Sequence, residues 1–190
     1  PYIDILSDDA TLVPEYSSTL SNSRAADIYA SAFMWSSSHE TSMPEGDQAF
    51  GTFYNSAYYA NIVLENIDNA VGIEADESKT EELRGSLKGE AYVLRAYSYF
   101  NLVNLYAPAY DPATCTTAPG IPINLTPDVE RKAYTRSSVE KVYALIESDL
   151  KEGIRLMEKY TVEKGTKIRF NALSARALLA RVYLYMQQWD

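Results

Sequence analysis

The stretch Leu83-Arg84-Gly85-Ser86-Leu87-Lys88-Gly89-Glu90-Ala91-Tyr92-Val93-Leu94-Arg95-Ala96-Tyr97-Ser98-Tyr99-Phe100-Asn101-Leu102-Val103-Asn104-Leu105-Tyr106 decides the fold. Leu83, Leu87, Ala91, Leu94, Tyr97 or Ser98, and Leu102 or Leu105 step along one face at three- and four-residue intervals, the period of an amphipathic helix. Upstream, Ser78 and Glu81 have the capping-box spacing, in which each side chain satisfies an orphan backbone donor. Pro108 stops the pattern, so a helix is expected over 78–106. Gly85 and Gly89 each cost about 1 kcal/mol relative to alanine in a helix. Two glycines four apart predict close approach of a neighbouring backbone.

Working outward, Phe53, Ala57, Ala60, Leu64, Ile67 and Val71 predict another amphipathic helix over 48–71, with Gly72 as its stop. Downstream, residues 107–136 form a long connection rich in Pro, Thr and Ala. Within it, residues 120–125 read as briefly extended, but the prolines forbid a central strand. Asn124-Leu125-Thr126 matches a glycosylation sequon by chance. A third helix is expected over 138–159, with Ser137 and Glu140 at capping-box spacing and a stripe of Val139, Val142, Tyr143, Ile146, Leu150, Ile154 and Met157. Asn171 caps a fourth helix carrying Leu173, Ala177, Leu178, Val182, Tyr183 and Met186.

Ala91-x-x-Leu94-x-Ala96-x-x-Tyr99 recurs as Ala175-x-x-Leu178-x-Ala180-x-x-Tyr183. Small residues alternating with Leu and Tyr at this spacing are similar to the first helix of a tetratricopeptide-like repeat. The fold expected is therefore all-α: tetratricopeptide-like helical hairpins with long irregular loops. Any helical bundle with small-large packing fits the same pattern. Residues 185–190 stand where such a repeat turns into its partner helix. A helix with one uncovered apolar face lacks a cover, so the chain is expected to be a fragment of a larger domain.

Residues 1–46 lack a sustained helical period and are rich in Ser and Asp, so they read as mostly irregular. Long irregular segments are often functional, which makes this one a candidate ligand-facing segment ahead of a helical scaffold at 47–190. The start at Pro1-Tyr2 reads as a processed or trimmed end.

The chain has 190 residues and a net charge of −9. The acidity argues against nucleic acid, which needs a basic stripe, and against adsorption to anionic lipid. No apolar run approaches the roughly 20 residues of a membrane span. One cysteine, Cys115, excludes a disulfide framework and reads as an inert thiol without basic neighbours. One histidine, His39, precedes Glu40 like the start of a zincin motif, but no second histidine exists. No nucleophile elbow or phosphate loop is present. Asp8-Asp9 reads as a turn rather than a catalytic pair, and the acidic run from Glu74 to Glu82 suits a helix N-terminus. No catalytic residue, metal or cofactor is expected. Tyrosine is abundant, at 16 residues, and suits both packed helix faces and wet binding surfaces.

Residues Gly89 to Tyr106 closely resemble the "GEA-x-x-LRA-x-x-YF-x-LV-x-LYG" helix of SusD/RagB proteins, with Ala107 in place of the final Gly. Gly120-Ile121-Pro122 is similar to that family's "G-V/I-P-L" segment. Residues 136–150 resemble "R-x-S-V-x-E-V-Y-x-x-I-x-x-D-L", and residues 177–185 "ALLARVYLY". Ala60-Asn61-Ile62-Val63-Leu64-Glu65 looks like "AN-x-V-L-E", and Leu6-Ser7-Asp8-Asp9 like an early "SD-D/E". The likeness spans residues 6–190.

The resemblance implies the N-terminal part of a SusD-like domain on a tetratricopeptide-like scaffold, acting by capture rather than chemistry. It implies a surface-exposed lipoprotein of the Bacteroidetes outer membrane that captures a glycan and passes it to a SusC-like TonB-dependent transporter. Membrane attachment would be only through an N-terminal lipid anchor, whose lipobox cysteine this chain lacks. Sugars stack on aromatic faces while polar side chains bond their hydroxyls. Asn22, Arg24, Asp27, Tyr29, Trp35 and His39 are the candidate ligand-binding residues. Packing of Tyr29 and Trp35 onto the helices is the competing role. Peptide capture, as in RagB-like members, and a tetratricopeptide-like protein-interaction scaffold are the alternative functions.

Overall fold

The computed structural model describes residues 48–71, 76–128, 133–162 and 168–189. The segment 1–46, expected to be irregular and ligand-facing, lies outside the described residues. The described helices are α1 (Gln48–Asn66), α2 (Glu77–Tyr106), α3 (Val139–Lys159) and α4 (Ala172–Tyr185), with a single 3-10 turn, Ile67–Asn69, closing α1. No strand is found among the described residues; Pro119 and Ser138 form an isolated antiparallel bridge. None of the described helices is long and apolar enough to cross a membrane.

Successive helices run antiparallel. Phe50 meets Tyr106 while Tyr54 meets Tyr99 across α1 and α2. Arg95 meets Asp149 while Phe100 meets Tyr143 across α2 and α3. Tyr183 meets Glu147 while Arg176 meets Glu158 across α3 and α4. The two glycines of α2 behave differently. Gly89 faces the backbone of Gly153 on α3, as the spacing predicts, whereas Gly85 makes room for the ring of Tyr160.

The core lies where α3 packs against α2 and α4. Val93, Ala96, Tyr99 and Leu102 of α2, Val142, Tyr143, Ile146 and Leu150 of α3, and Ala175 and Val182 of α4 are essentially buried. Each large aliphatic side chain so buried contributes about 1.5–3 kcal/mol. The repeated Ala/Tyr faces point inward: Ala91, Tyr99 and Ala175 are buried and Tyr183 is half-buried. Leu173 and Ala177 of the fourth helix are exposed instead, Leu173 by 76%.

Three helix ends differ from the sequence reading. α2 is capped by Asp76, whose carboxylate accepts from the Ser78 N–H at 2.9 Å. Asp exceeds Ser here by adding negative charge at the positive end of the helix. α3 is capped by Ser138 rather than Ser137. Ser137 is drawn into backbone pairing, accepting from Gly120 N at 2.7 Å and donating to Ile121 O at 3.0 Å. α1 stops at Asn66, and Val71 is 85% exposed beyond it; Gly72 lies outside the described residues. Asn171 does cap α4, in a reciprocal box with Ser174. That helix ends with Gln187 at φ 59°, where Gln187 N donates to Leu184 O and Gln188 N to Tyr183 O, a Schellman pattern.

Candidate functional site

The site is built on a buried polar network that pins a loop against two helices. Asp149 of α3 is buried, and the Arg95 guanidinium of α2 forks onto it, Nε to Oδ2 at 2.7 Å and Nη2 to Oδ1 at 2.8 Å. Arg95 Nη1 donates to Asn61 Oδ1 on α1 at 2.9 Å. The bidentate geometry and the third acceptor offset the cost of burying this ion pair. Burial pushes the Asp149 carboxyl above the ordinary carboxylate range, and Arg95 opposes that push.

From Asn61 the network passes to the loop. Asn61 Nδ2 donates to the Asn124 carbonyl at 3.0 Å, and the Tyr99 hydroxyl donates to the same oxygen at 2.7 Å. The Asn124 N–H in turn donates to the Tyr99 hydroxyl at 2.8 Å. One residue pair over, the Tyr54 hydroxyl donates to Pro122 O at 2.8 Å. Arg136 holds the base of the loop by donating to both Tyr106 O and Gly120 O. Burial lifts the Tyr54 and Tyr99 phenols above the usual tyrosine value.

These bonds shape a cleft of ≈ 400 Å³. α1 lines it with Tyr54, Asn55, Ala57, Tyr58 and Asn61, α2 with Tyr99, and the loop with Asn124. The lining residues of α1 recur at one-turn spacing, so they share a helix face. Ala57 is buried and small, which leaves depth between Tyr54 and Tyr58.

Asn22, Arg24, Asp27, Tyr29, Trp35 and His39 all lie outside the described residues, as do Asp8 and Asp9. Cys115 is buried, with Sγ 3.8 Å from Pro112 O. In the acidic run, Glu77 pairs with Arg84 and Glu81 accepts from the Tyr160 hydroxyl, both structural uses. Asn61, Arg95 and Asp149 enter the sequence reading only inside the family-like stretches and Asn124 only in a chance sequon, none of them with a place in a site. The available signal was a charged residue inside each apolar stripe: Arg95 between Leu94 and Ala96, and Asp149 beside Leu150.

A family model described as "Starch-binding associating with outer membrane" matches residues 5–184. The chain belongs to the SusD-like family. A SusD-like protein of Formosa agariphila is 27% identical over 140 residues, covering 73% of this chain and 23% of that protein. A SusD superfamily structure from Bacteroides vulgatus aligns with TM-score 0.67 and 26% identity, over 84% of this chain and 34% of the other. A laminarin-binding SusD-like protein aligns with TM-score 0.56 and 27% identity, over 75% of this chain and 28% of the other. This SusD-like chain thus spans about a quarter to a third of the length of these relatives.

Proposed function

We propose that this SusD-like chain belongs to a non-enzymatic nutrient-capture protein of an outer-membrane uptake system. It holds a glycan at the cell surface and passes it to a SusC-like TonB-dependent transporter, anchored as a surface lipoprotein by a lipid upstream of the chain. The family match over residues 5–184 carries this reading. The laminarin-binding neighbour supports a glycan as the ligand. Asn22, Arg24, Asp27, Tyr29, Trp35 and His39 are proposed to supply contacts from the N-terminal segment. The work required is reversible binding, for which aromatic faces and neutral hydrogen-bonding groups suffice.

Calorimetry of the full-length protein against a panel of oligosaccharides tests the proposal. Saturable heat with at least one glycan is expected. Silence across the panel, together with binding of extended peptides, overturns it in favour of peptide capture.

A further inference from the structure

We infer that the cleft between α1 and the Asn124 loop is a subsite for an uncharged sugar ring, read by Tyr58 and Asn55. This rests on the reading of the protein as a glycan binder and names the class of sugar and the residues that meet it.

The first argument is charge. Among the described residues, every side chain lining the cleft is tyrosine, asparagine or alanine. Arg95 and Asp149, which reach the cleft wall through Asn61, are buried and locked onto one another, and Arg136, whose charge acts on Tyr54, is committed to the Tyr106 and Gly120 carbonyls. A carboxylated or sulfated sugar entering here would leave water without gaining a counter-charge, which is costly. A neutral sugar meets no such cost. Its hydroxyls both donate and accept, and amides and phenols match them on both counts.

The second argument separates scaffold from contact. Tyr54, Tyr99 and Asn61 spend their polar groups on the loop backbone and on Arg95. They fix the walls. Asn55 is exposed and Tyr58 half-exposed, and no hydrogen bond from either side chain is found among the described residues. Their polar ends therefore remain for a ligand, and the ring of Tyr58 offers an apolar wall at the cleft for the C–H face of a pyranose. The third argument is size. A cleft of ≈ 400 Å³ sits at the small end of ligand sites, suited to a short piece of a glycan rather than an extended chain.

The test uses calorimetry of the full-length protein with laminarihexaose, maltohexaose and an alginate hexamer, on wild type and the Tyr58→Ala and Asn55→Ala variants. A neutral hexasaccharide should bind. Tyr58→Ala should weaken it about tenfold, and Asn55→Ala about threefold to tenfold, the scale of one aromatic contact and one hydrogen bond. Thermal midpoints recorded alongside should hold for Asn55→Ala, which keeps the test valid if Tyr58→Ala unfolds. Equal affinity in wild type and both variants overturns the subsite while glycan capture stands. Binding of the alginate hexamer alone overturns the uncharged class. Absence of binding by every sugar removes the glycan reading itself, and this inference with it.

Discussion

Gly153 of α3 lies against Gly89 of α2 so closely that a Cβ on Gly153 would stand 2.8 Å from the Gly89 carbonyl oxygen and 2.6 Å from Val93 Cγ2. The helix pair that carries the core can come this close only because neither residue has a side chain. Gly153→Ala gains about 1 kcal/mol of helix propensity but forces two backbones apart, an overpacking cost of about 1–3 kcal/mol. A net loss of stability is expected in urea unfolding. A stabilised Gly153→Ala variant would mean the two helices yield freely.

The Arg95–Asp149 pair makes an asymmetric prediction. Either Arg95→Met or Asp149→Leu alone leaves a buried charge uncompensated, at a cost of about 3–5 kcal/mol. The double variant Arg95→Met/Asp149→Leu should recover most of that loss, because an apolar pair needs no counter-charge. Chemical denaturation of the four proteins measures the coupling. Additive single losses in the double variant would show that the two side chains do not act as a pair.

Tyr99→Phe keeps the ring and removes the hydroxyl that both donates to Asn124 O and accepts from Asn124 N. Two backbone groups lose a partner, costing about 1–3 kcal/mol where they stay buried. Hydrogen exchange of the Asn124 amide should speed up while amides of α3 keep their protection. Unchanged exchange at Asn124 would show that the remaining bonds, from Asn61, Tyr54 and Arg136, suffice to hold the loop.

Glu147 accepts from Lys151 one turn on along α3 and from the Tyr183 hydroxyl, and only the second bond ties α3 to α4. The Lys151 hydrogen bond, aided by Tyr183 and opposed by burial, holds its carboxyl below the ordinary glutamate value. A depressed folded-state value stabilises the protein above the unfolded-state value, and the gain is lost as pH falls through the folded one. Solvent screening keeps the effect below about 1 kcal/mol. The melting temperature of wild type should exceed that of Glu147→Gln at pH 7, with the gap closing as pH falls toward 3. A gap that persists in acid would assign the difference to packing.

The helices were legible from the apolar period, which placed the buried face correctly on α3 but not throughout α2 and α4, where Tyr97, Leu173 and Ala177 of the expected stripes are exposed and Leu83, Leu87 and Leu94 only half-buried. Every residue of the α3 stripe from Val139 to Met157 is buried, and the Gly89 contact followed from glycine spacing. Periodicity is silent on which polar groups find each other across the fold. Arg95 falls on a core face only because Asp149, 54 positions away, arrives with two oxygens. The caps of α2 and α3 slipped for a related reason: several residues near each end could cap, and tertiary pairing decided, as when Gly120 and Ile121 claimed Ser137. The stop of α4 carries no glycine at all. Gln187 takes the left-handed conformation, so a reader scanning for glycine passes over it. The site was legible least, since its rim depends on the carbonyl of Asn124, and a carbonyl has no letter in the sequence.

Tyrosines and amides do not change charge between acid and mild alkali, since phenols ionise near 10 and amides not at all. In the cleft, burial moves Tyr54 and Tyr99 further still from ionising. The described walls of the pocket between α1 and the loop therefore keep one charge from acid to mild alkali, so a shift in the pH of the medium leaves their grip on a neutral guest unaltered.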